Sequence, residues 1–405
     1  MENPLQQLLK LSDAEQEERG TQHTPREIHQ QPEIWDNTQQ RVINKRADLE
    51  AFFRSFLQEK NRQVILSGAG TSEFAGICVE SLFRSGLRSP TQVSSSPRLV
   101  TLPEEVFPPD HTVLLVSFAR SGGSPESIGA FLSAEKLATR VRHLVITCND
   151  EGALARMARE SKEAVVVVLD ERANDRGLAM TSSLTAMVIA AQSIAFWERA
   201  SEYDDIFPRL VAAAREVLER FPELLDRLCR EGFERGVFLG DGNDYGAAVE
   251  SHLKLQELTC GKVMCTYETF LGLRHGPEAV IDEETLVVAF LSADPFVRRY
   301  QVELLEELRQ KQLGKVILGV GSSIDASITT LCDAVVEYPA VPPSLAAPVN
   351  VLVGQMLGLF RSISFGFKPD SPSPTGVIHR VVKGVQVYDR ATYLQDGVFR
   401  VVAES

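Results

Sequence analysis

Short β-branched runs recur in the two halves of this 405-residue chain in one order and at nearly one spacing. That regularity restricts the fold more than any other feature. Val64–Ser67, Val113–Ser117, His143–Thr147 and Ala164–Leu169 lie in the first half, and Gly236–Gly240, Leu286–Leu291, Lys315–Val320 and Ala334–Tyr338 in the second. Matched in order, Ile65 to Phe238 spans 173 residues, Leu115 to Val288 173, Val145 to Ile317 172 and Val166 to Val335 169. Four matches near one offset argue for two copies of one unit. Helix-length amphipathic stretches separate the runs, the pattern of βαβ units with buried parallel strands. The expected fold is therefore α/β, two tandem doubly wound parallel-sheet domains behind a helical N-terminal arm. The expected segments are an arm over 1–45, a first domain over 46–205, a second over 206–369 and a C-terminal tail over 370–405.

Composition removes several function classes. A hydrophobic share of 44% with 24% charged residues is that of a globular protein. No apolar run approaches eighteen residues, and the polar, acidic N-terminus does not read as a secretory leader. A net charge of −13 disfavours a nucleic-acid surface, though a few aligned N–H groups can still hold a small anion. The six cysteines form no C-x-x-C pair, and Cys148 and Cys260 sit among apolar residues as small hydrophobes. A reducing, cytoplasmic compartment fits. No metal-ligand cluster stands out, and no cofactor is expected.

Doubly wound sheets bind ligands beyond the carboxyl ends of their strands. Two such loops in the first half are rich in Ser and Gly. One is Ser67-Gly68-Ala69-Gly70-Thr71-Ser72, with a helix expected from near Glu73. The other runs from Ser117 through Arg120, Ser121, Gly122, Gly123 and Ser124 to Pro125 and Glu126. Ser124 suits an N-cap, Pro125 the first helical position, and Glu126 complements the helix dipole. Amides turned by the Gly pair, with the Ser hydroxyls, would make an anion nest, and Arg120 would add a charge or face solvent. The alternative is turn and capping chemistry alone. The matching second-half loops, Asp241–Asp244 and Ser292–Pro295, carry acids, which repel phosphate. One phosphate site per chain is expected, in the first half.

The loop Ser121-Gly122-Gly123-Ser124 after Val113-Leu114-Leu115-Val116-Ser117 resembles the signature of the phosphosugar-binding sugar isomerase (SIS) domain. The whole chain resembles the tandem-SIS tagatose-6-phosphate ketose/aldose isomerase family of AgaS type, whose members are galactosamine-6-phosphate deaminase/isomerases. It is more distantly similar to the isomerase half of glucosamine-6-phosphate synthase. The most specific stretches are Ser67–Ser72, Ser117–Ser127, Asp175–Ser183, Arg274–Pro277 and Pro372–Val385. The resemblance implies phosphate contacts from Ser72, Ser121 and Ser124, flanked by Gly70, Thr71 and Gly122, with Arg120 where the synthase has glutamine.

In the second half, Glu250, Lys254 and Glu257 lie at i, i+4 and i+7 of a helical stretch and share one face. Spacing alone favours a solvated ion pair with a spare acid. The resemblance instead matches Glu257 to the synthase family's acid/base glutamate. It matches Lys254 to a lysine on the same helix that would orient substrate or Glu257. His275, in Arg274-His275-Gly276-Pro277, is on its own a structural histidine. The resemblance gives it ring opening in a neighbouring subunit's site, hence a homo-oligomer with shared active sites. Lys383 matches a lysine that closes over the substrate, with His379 and Arg380 close by; the three could equally be solvated charges. The other histidines, His23, His29, His111, His143 and His252, read as structural or surface groups.

The function implied is ring opening of galactosamine 6-phosphate, 1,2-proton transfer by a partly desolvated carboxylate, and hydrolysis of the ketose imine to tagatose 6-phosphate and ammonium. The partner is then a phosphorylated amino sugar, with neither nucleic acid nor membrane. The alternatives are isomerisation of a neutral phosphosugar, or a non-catalytic sugar-phosphate sensor.

Overall fold

A computed structural model describes residues 2–376, 380 and 384–404. The first sheet contains β1 (Arg62–Ser67), β2 (Thr91–Val93), β3 (Thr112–Ala119), β4 (Arg140–Thr147) and β5 (Ala164–Val168). All pairs are parallel and the order is 2-1-3-4-5. The second contains β6 (Arg235–Leu239), β7 (Met264–Glu268), β8 (Thr285–Leu291), β9 (Val316–Gly321) and β10 (Ala334–Glu337). It is also parallel, ordered 7-6-8-9-10, which is the same winding. Every residue of β3 and β8 is buried, as central strands covered on both faces require.

Register tests the offsets directly. Ile65 pairs with Leu115 and Phe238 with Val288, so the first two matches hold residue for residue. Leu115 pairs with His143 and Val288 with Leu318, which makes the third offset 175 rather than 172. His143 pairs with Ala164 and Leu318 with Ala334, so the fourth is 170 rather than 169. The intervening helices absorb these slips. Each sheet also has an edge strand that sequence reading missed, β2 of three residues and β7, both incompletely buried.

The expected arm is helical, over Pro4–Leu9, Asp13–Arg19, Thr24–His29 and Gln31–Asn44, and a further helix, Arg46–Phe56, leads into β1. A capping box between Ser12 and Glu15 starts the second of these. Trp35 is fully buried, and its indole N–H donates to Thr185 Oγ1 at 2.9 Å.

Two compact units emerge, each drawing on separate stretches of chain. The second-sheet unit takes Met1–Pro32, Asp175–Thr181 and Asp204–Ile378; the first-sheet unit takes Glu33–Asn174, Ser182–Tyr203 and His379–Ser405. Carboxylates, those of Glu27 and Asp175 buried and that of Asp370 half-buried, tie the stray segments into the second-sheet unit. Glu27 accepts from the N–H groups of Arg176 (2.5 Å) and Gly177 (3.3 Å). Asp370 accepts from those of His23 (3.0 Å) and Thr24 (2.7 Å), and Asp175 from that of Thr181 (2.8 Å). Burial and the neighbouring Asp175 push the Glu27 carboxyl up to about 8.

In the first-sheet unit, the C-terminal ribbon of β11 (Gln386–Tyr388) and β12 (Val401–Glu404) packs on the helix Pro125–Leu137. There Gly129 leaves room for Val387, since a Cβ would stand 2.5 Å from it. Among the described residues no helix is long and apolar enough to cross a membrane. All six cysteines are free; Cys148 is buried as expected, whereas Cys260 is half-buried in a left-handed turn.

Candidate active site

In the first-sheet unit the order 2-1-3-4-5 puts the topological switch point between β1 and β3. Ser67 and Ser117 are register partners there, so the two Ser/Gly loops leave neighbouring strand ends. Gly68 is required, because a Cβ would lie 2.4 Å from the Ser72 carbonyl carbon. Gly70 has φ +55° and turns the chain into a helix that begins at Thr71, two residues before the expected start; Thr71 and Ser72 are buried.

After β3, Gly122 has φ +62°, and Ser124 caps the helix Pro125–Leu137, as its sequence context indicates. The Ser127 N–H donates to Ser124 Oγ at 3.2 Å, and the Ser124 hydroxyl donates to Ser127 Oγ at 2.8 Å. Ser124 thus spends its proton within the cap. Ser121 Oγ accepts from the Gly123 N–H at 3.3 Å and keeps its own proton to give. Arg120 does not face solvent. Its side chain is buried, and Nη2 donates to the Arg380 carbonyl at 2.7 Å, while the Arg380 guanidinium donates to Asn174 Oδ1 at 2.8 Å. A guanidinium confined beside an amide-rich loop favours an anion there.

The corresponding loops of the second-sheet unit are filled by their own polar groups. Asp244 is buried and accepts from Asn350 Nδ2 at 2.9 Å; Asn350 Oδ1 in turn accepts from the Tyr338 hydroxyl at 2.7 Å. Burial pushes the Asp244 carboxyl up to about 7. Asp241 accepts from Gln301 Nε2 at 2.9 Å, and burial raises its carboxyl as well. Asp294 caps the helix Pro295–Gln310, and Arg298 on that helix gathers the carbonyls of Ser322 (2.9 Å) and Ser323 (2.8 Å).

The helix Asp244–Leu258 corrects the solvated ion-pair reading. Glu250 is fully buried, the Lys254 side chain is 1% exposed, and that of Glu257 is 26% exposed. Lys254 Nζ lies 3.4 Å from Glu250 Oε1 and 2.6 Å from Glu257 Oε2. The helix Ala347–Ser364 covers this face at close range because it presents glycines. A Cβ at Gly354 would stand 2.3 Å from Ser251 Cβ, and one at Gly358 2.8 Å from the Lys254 carbonyl oxygen. Burial opposes the Lys254 charge, but Glu250 and Glu257 outweigh it and raise the ammonium above its ordinary range. Glu257 is thereby held by a permanent cation with one side open.

His275 ends the 3₁₀ turn Gly272–His275 and is exposed; Gly276 follows at φ +119°, a conformation that needs glycine. Among the described residues it makes no hydrogen bond to Glu257. Its neighbour Arg274 pairs with Glu307 at 2.6 Å. His379 and Lys383 lie outside the described residues. The expected groups therefore fall into two sets. Gly70, Thr71, Ser72, Arg120, Ser121, Gly122, Ser124 and Arg380 belong to the first-sheet unit, and Lys254, Glu257 and His275 to the second-sheet unit. Sequence reading gave Glu250 no part beyond a solvated ion pair with Lys254, and it gave no role to the turn after β4, where Asn149 is an ordinary turn signal.

The family described as SIS domain matches residues 56–196. The chain is 36% identical over 380 residues to the D-galactosamine-6-phosphate deaminase AgaS of Escherichia coli O157:H7, covering 90% of this chain and 95% of that protein. A solved structure from Clostridium novyi NT superposes with a TM-score of 0.90 at 34% identity, covering 94% of this chain and 98% of the other. The crystal structure of tagatose-6-phosphate ketose/aldose isomerase from Escherichia coli superposes with a TM-score of 0.80 at 33% identity, covering 88% and 96%.

Proposed function

The chain belongs to the AgaS-type family of SIS-domain galactosamine-6-phosphate deaminases, and from that premise we propose that it converts galactosamine 6-phosphate to tagatose 6-phosphate and ammonium. The observation that carries the reading is the Glu257 carboxylate, about a quarter exposed and fixed at 2.6 Å by a lysine almost wholly out of solvent. A proton-transfer group needs a fixed position and an open side, and Glu257 has both.

In this reading the phosphate docks on the loops bearing Ser72, Ser121 and Ser124, with Arg120 supplying positive charge. His275 moves a proton from O1 to O5 as the ring opens. Its exposure and its lack of a bond to Glu257 suit donation into a neighbouring subunit's site, so the working form is a homo-oligomer. Glu257 takes the C2 proton as O1 gains one, giving a C1–C2 enolamine, and returns a proton to C1 as the nitrogen gives up one of its own, leaving a ketose imine at C2. Water adds to that carbon and ammonia leaves, which makes the last step hydrolytic. Lys383, His379 or Arg380 closes over the sugar. We read the enzyme as cytoplasmic.

A neutral phosphosugar would use the same Glu257, and the isomerase named above gives that reading its support. Ammonia release separates the two. Purified protein given galactosamine 6-phosphate releases stoichiometric ammonium if the deaminase reading holds. Silence with that substrate, alongside turnover of a neutral phosphosugar, overturns it.

A further inference from the structure

We propose that Asn149 is a positioning residue for the phosphate site, acting through the carbonyls of the Ser121 loop; the proposal rests on the assignment of phosphate to that loop. β4 ends at Thr147, and the turn that follows lies against the loop after β3. The Asn149 side-chain amide donates to the Ser121 carbonyl at 2.9 Å, and the Leu154 N–H donates to the Gly122 carbonyl at 2.9 Å. Asn149 is itself held at both ends. Its N–H donates to Thr147 Oγ1 at 3.2 Å, and its Oδ1 accepts from the Glu151 N–H at 3.2 Å. Gly152 completes the contact, because a Cβ there would stand 2.7 Å from the Ser121 carbonyl oxygen.

In a planar trans peptide the C=O and N–H point in opposite directions. The Ser121 carbonyl shares its plane with the Gly122 N–H, and the Gly122 carbonyl with the Gly123 N–H. Tying both carbonyls to the turn after β4 directs both N–H groups away from it. Successive N–H groups turned to a common side are what an anion nest is made of, and the φ of +62° at Gly122 lets them converge. Without the Asn149 amide, the Ser121–Gly122 peptide is free to rotate, and the Gly122 N–H swings with it. The residue type fits this role. An aspartate would serve the Glu151 N–H equally well, but it would set a carboxylate against the Ser121 carbonyl and offer no donor.

The test compares Asn149→Asp and Asn149→Ala with the unaltered protein. The readouts are the Kd of inorganic phosphate by calorimetry, KM and kcat for ammonia release from galactosamine 6-phosphate, and thermal unfolding. The aspartate variant keeps the turn acceptor but adds a charge that itself repels phosphate, so its unfolding tests the turn while the alanine variant tests the affinity. Both variants are expected to raise the phosphate Kd and KM on the order of tenfold, with kcat changed by less than about threefold. Gly152→Ala pushes on the same carbonyl; it is expected to give the same signature and serves if neither Asn149 variant folds. An alanine variant with unaltered phosphate affinity overturns the positioning role, as does a loss confined to kcat. If the unaltered protein binds no inorganic phosphate and Ser121→Ala changes neither Kd nor KM, the phosphate assignment fails and the positioning role falls with it.

Discussion

The two units share a strand order and, between their first and third strands, a register, yet the loops at equivalent strand ends do opposite things. Around Ser121 the backbone offers N–H groups, a free hydroxyl proton and a buried guanidinium. Around Asp241 and Asp244 the same ground is occupied by carboxylates already satisfied by Gln301 and Asn350. The proton-transfer group we propose for the second-sheet unit, Glu257, sits instead on the helix that follows, paired with Lys254. A fold can thus be repeated while its chemistry is divided.

The sharpest way to break this contrast is to strike one side at a time. Glu257→Gln is expected to lower kcat by roughly 10²–10⁴-fold, the usual worth of a general acid–base group. Phosphosugar affinity by calorimetry should stay near its original value, and a parallel loss of affinity would mean that the two roles are not separate. Lys254→Met leaves Glu250 buried without its cation, and a loss of about 3–5 kcal/mol is expected in urea unfolding; a loss under about 1 kcal/mol would show the pair to be solvated after all. Gly122→Ala forces a side chain into the left-handed region, at a cost of roughly 1–2 kcal/mol, and should raise KM more than it lowers kcat. Equal effects on both constants would remove the loop from ground-state binding.

A further contrast between the units is in their response to pH. In the second-sheet unit Glu27 and Asp244 are lifted to about 8 and about 7, so the folded state holds protons that the unfolded chain has released. Their contribution is complete below about pH 4 and is lost as pH rises through those values. In the first-sheet unit His143, stacked on Phe131, is held down to about 3 by burial, so the unfolded chain binds the extra proton and stability falls between the ordinary histidine range and pH 3. Hydrogen exchange should therefore open the second-sheet unit preferentially at pH 9 and the first-sheet unit at pH 5. Glu27→Gln is expected to flatten the alkaline arm alone, and identical pH responses in the two units would contradict the assignment.

The parts legible in the sequence were those written locally. Central strands announce themselves as continuous apolar runs, and Ser124-Pro125-Glu126 spells out a helix start. β2 escaped because three residues on a sheet edge carry no periodicity, and β7 because its half-exposed residues are mixed polar and apolar. The third offset was misjudged because strand residues of one type can slide past each other until register fixes them. The depth of Lys254 was illegible because i, i+4 spacing says nothing about a covering helix more than ninety residues downstream, whose fit depends on Gly354 and Gly358. The Asn149 contact escaped for the same reason, since a turn residue does not advertise which distant carbonyl it serves.

The carboxylate knot of the second-sheet unit has a consequence for the order in which the molecule can be made. Asp370 grips the backbone of His23, 347 positions earlier in the chain. At the 5–20 residues per second typical of ribosomes, those first helices wait about 17–70 s for that partner. The strands β1 to β5 are complete long before then. The last of the bonds that hold the N-terminal helices thus forms late, and a nascent chain stalled before Asp370 would carry a finished first sheet and N-terminal helices held by Glu27 but not yet by Asp370.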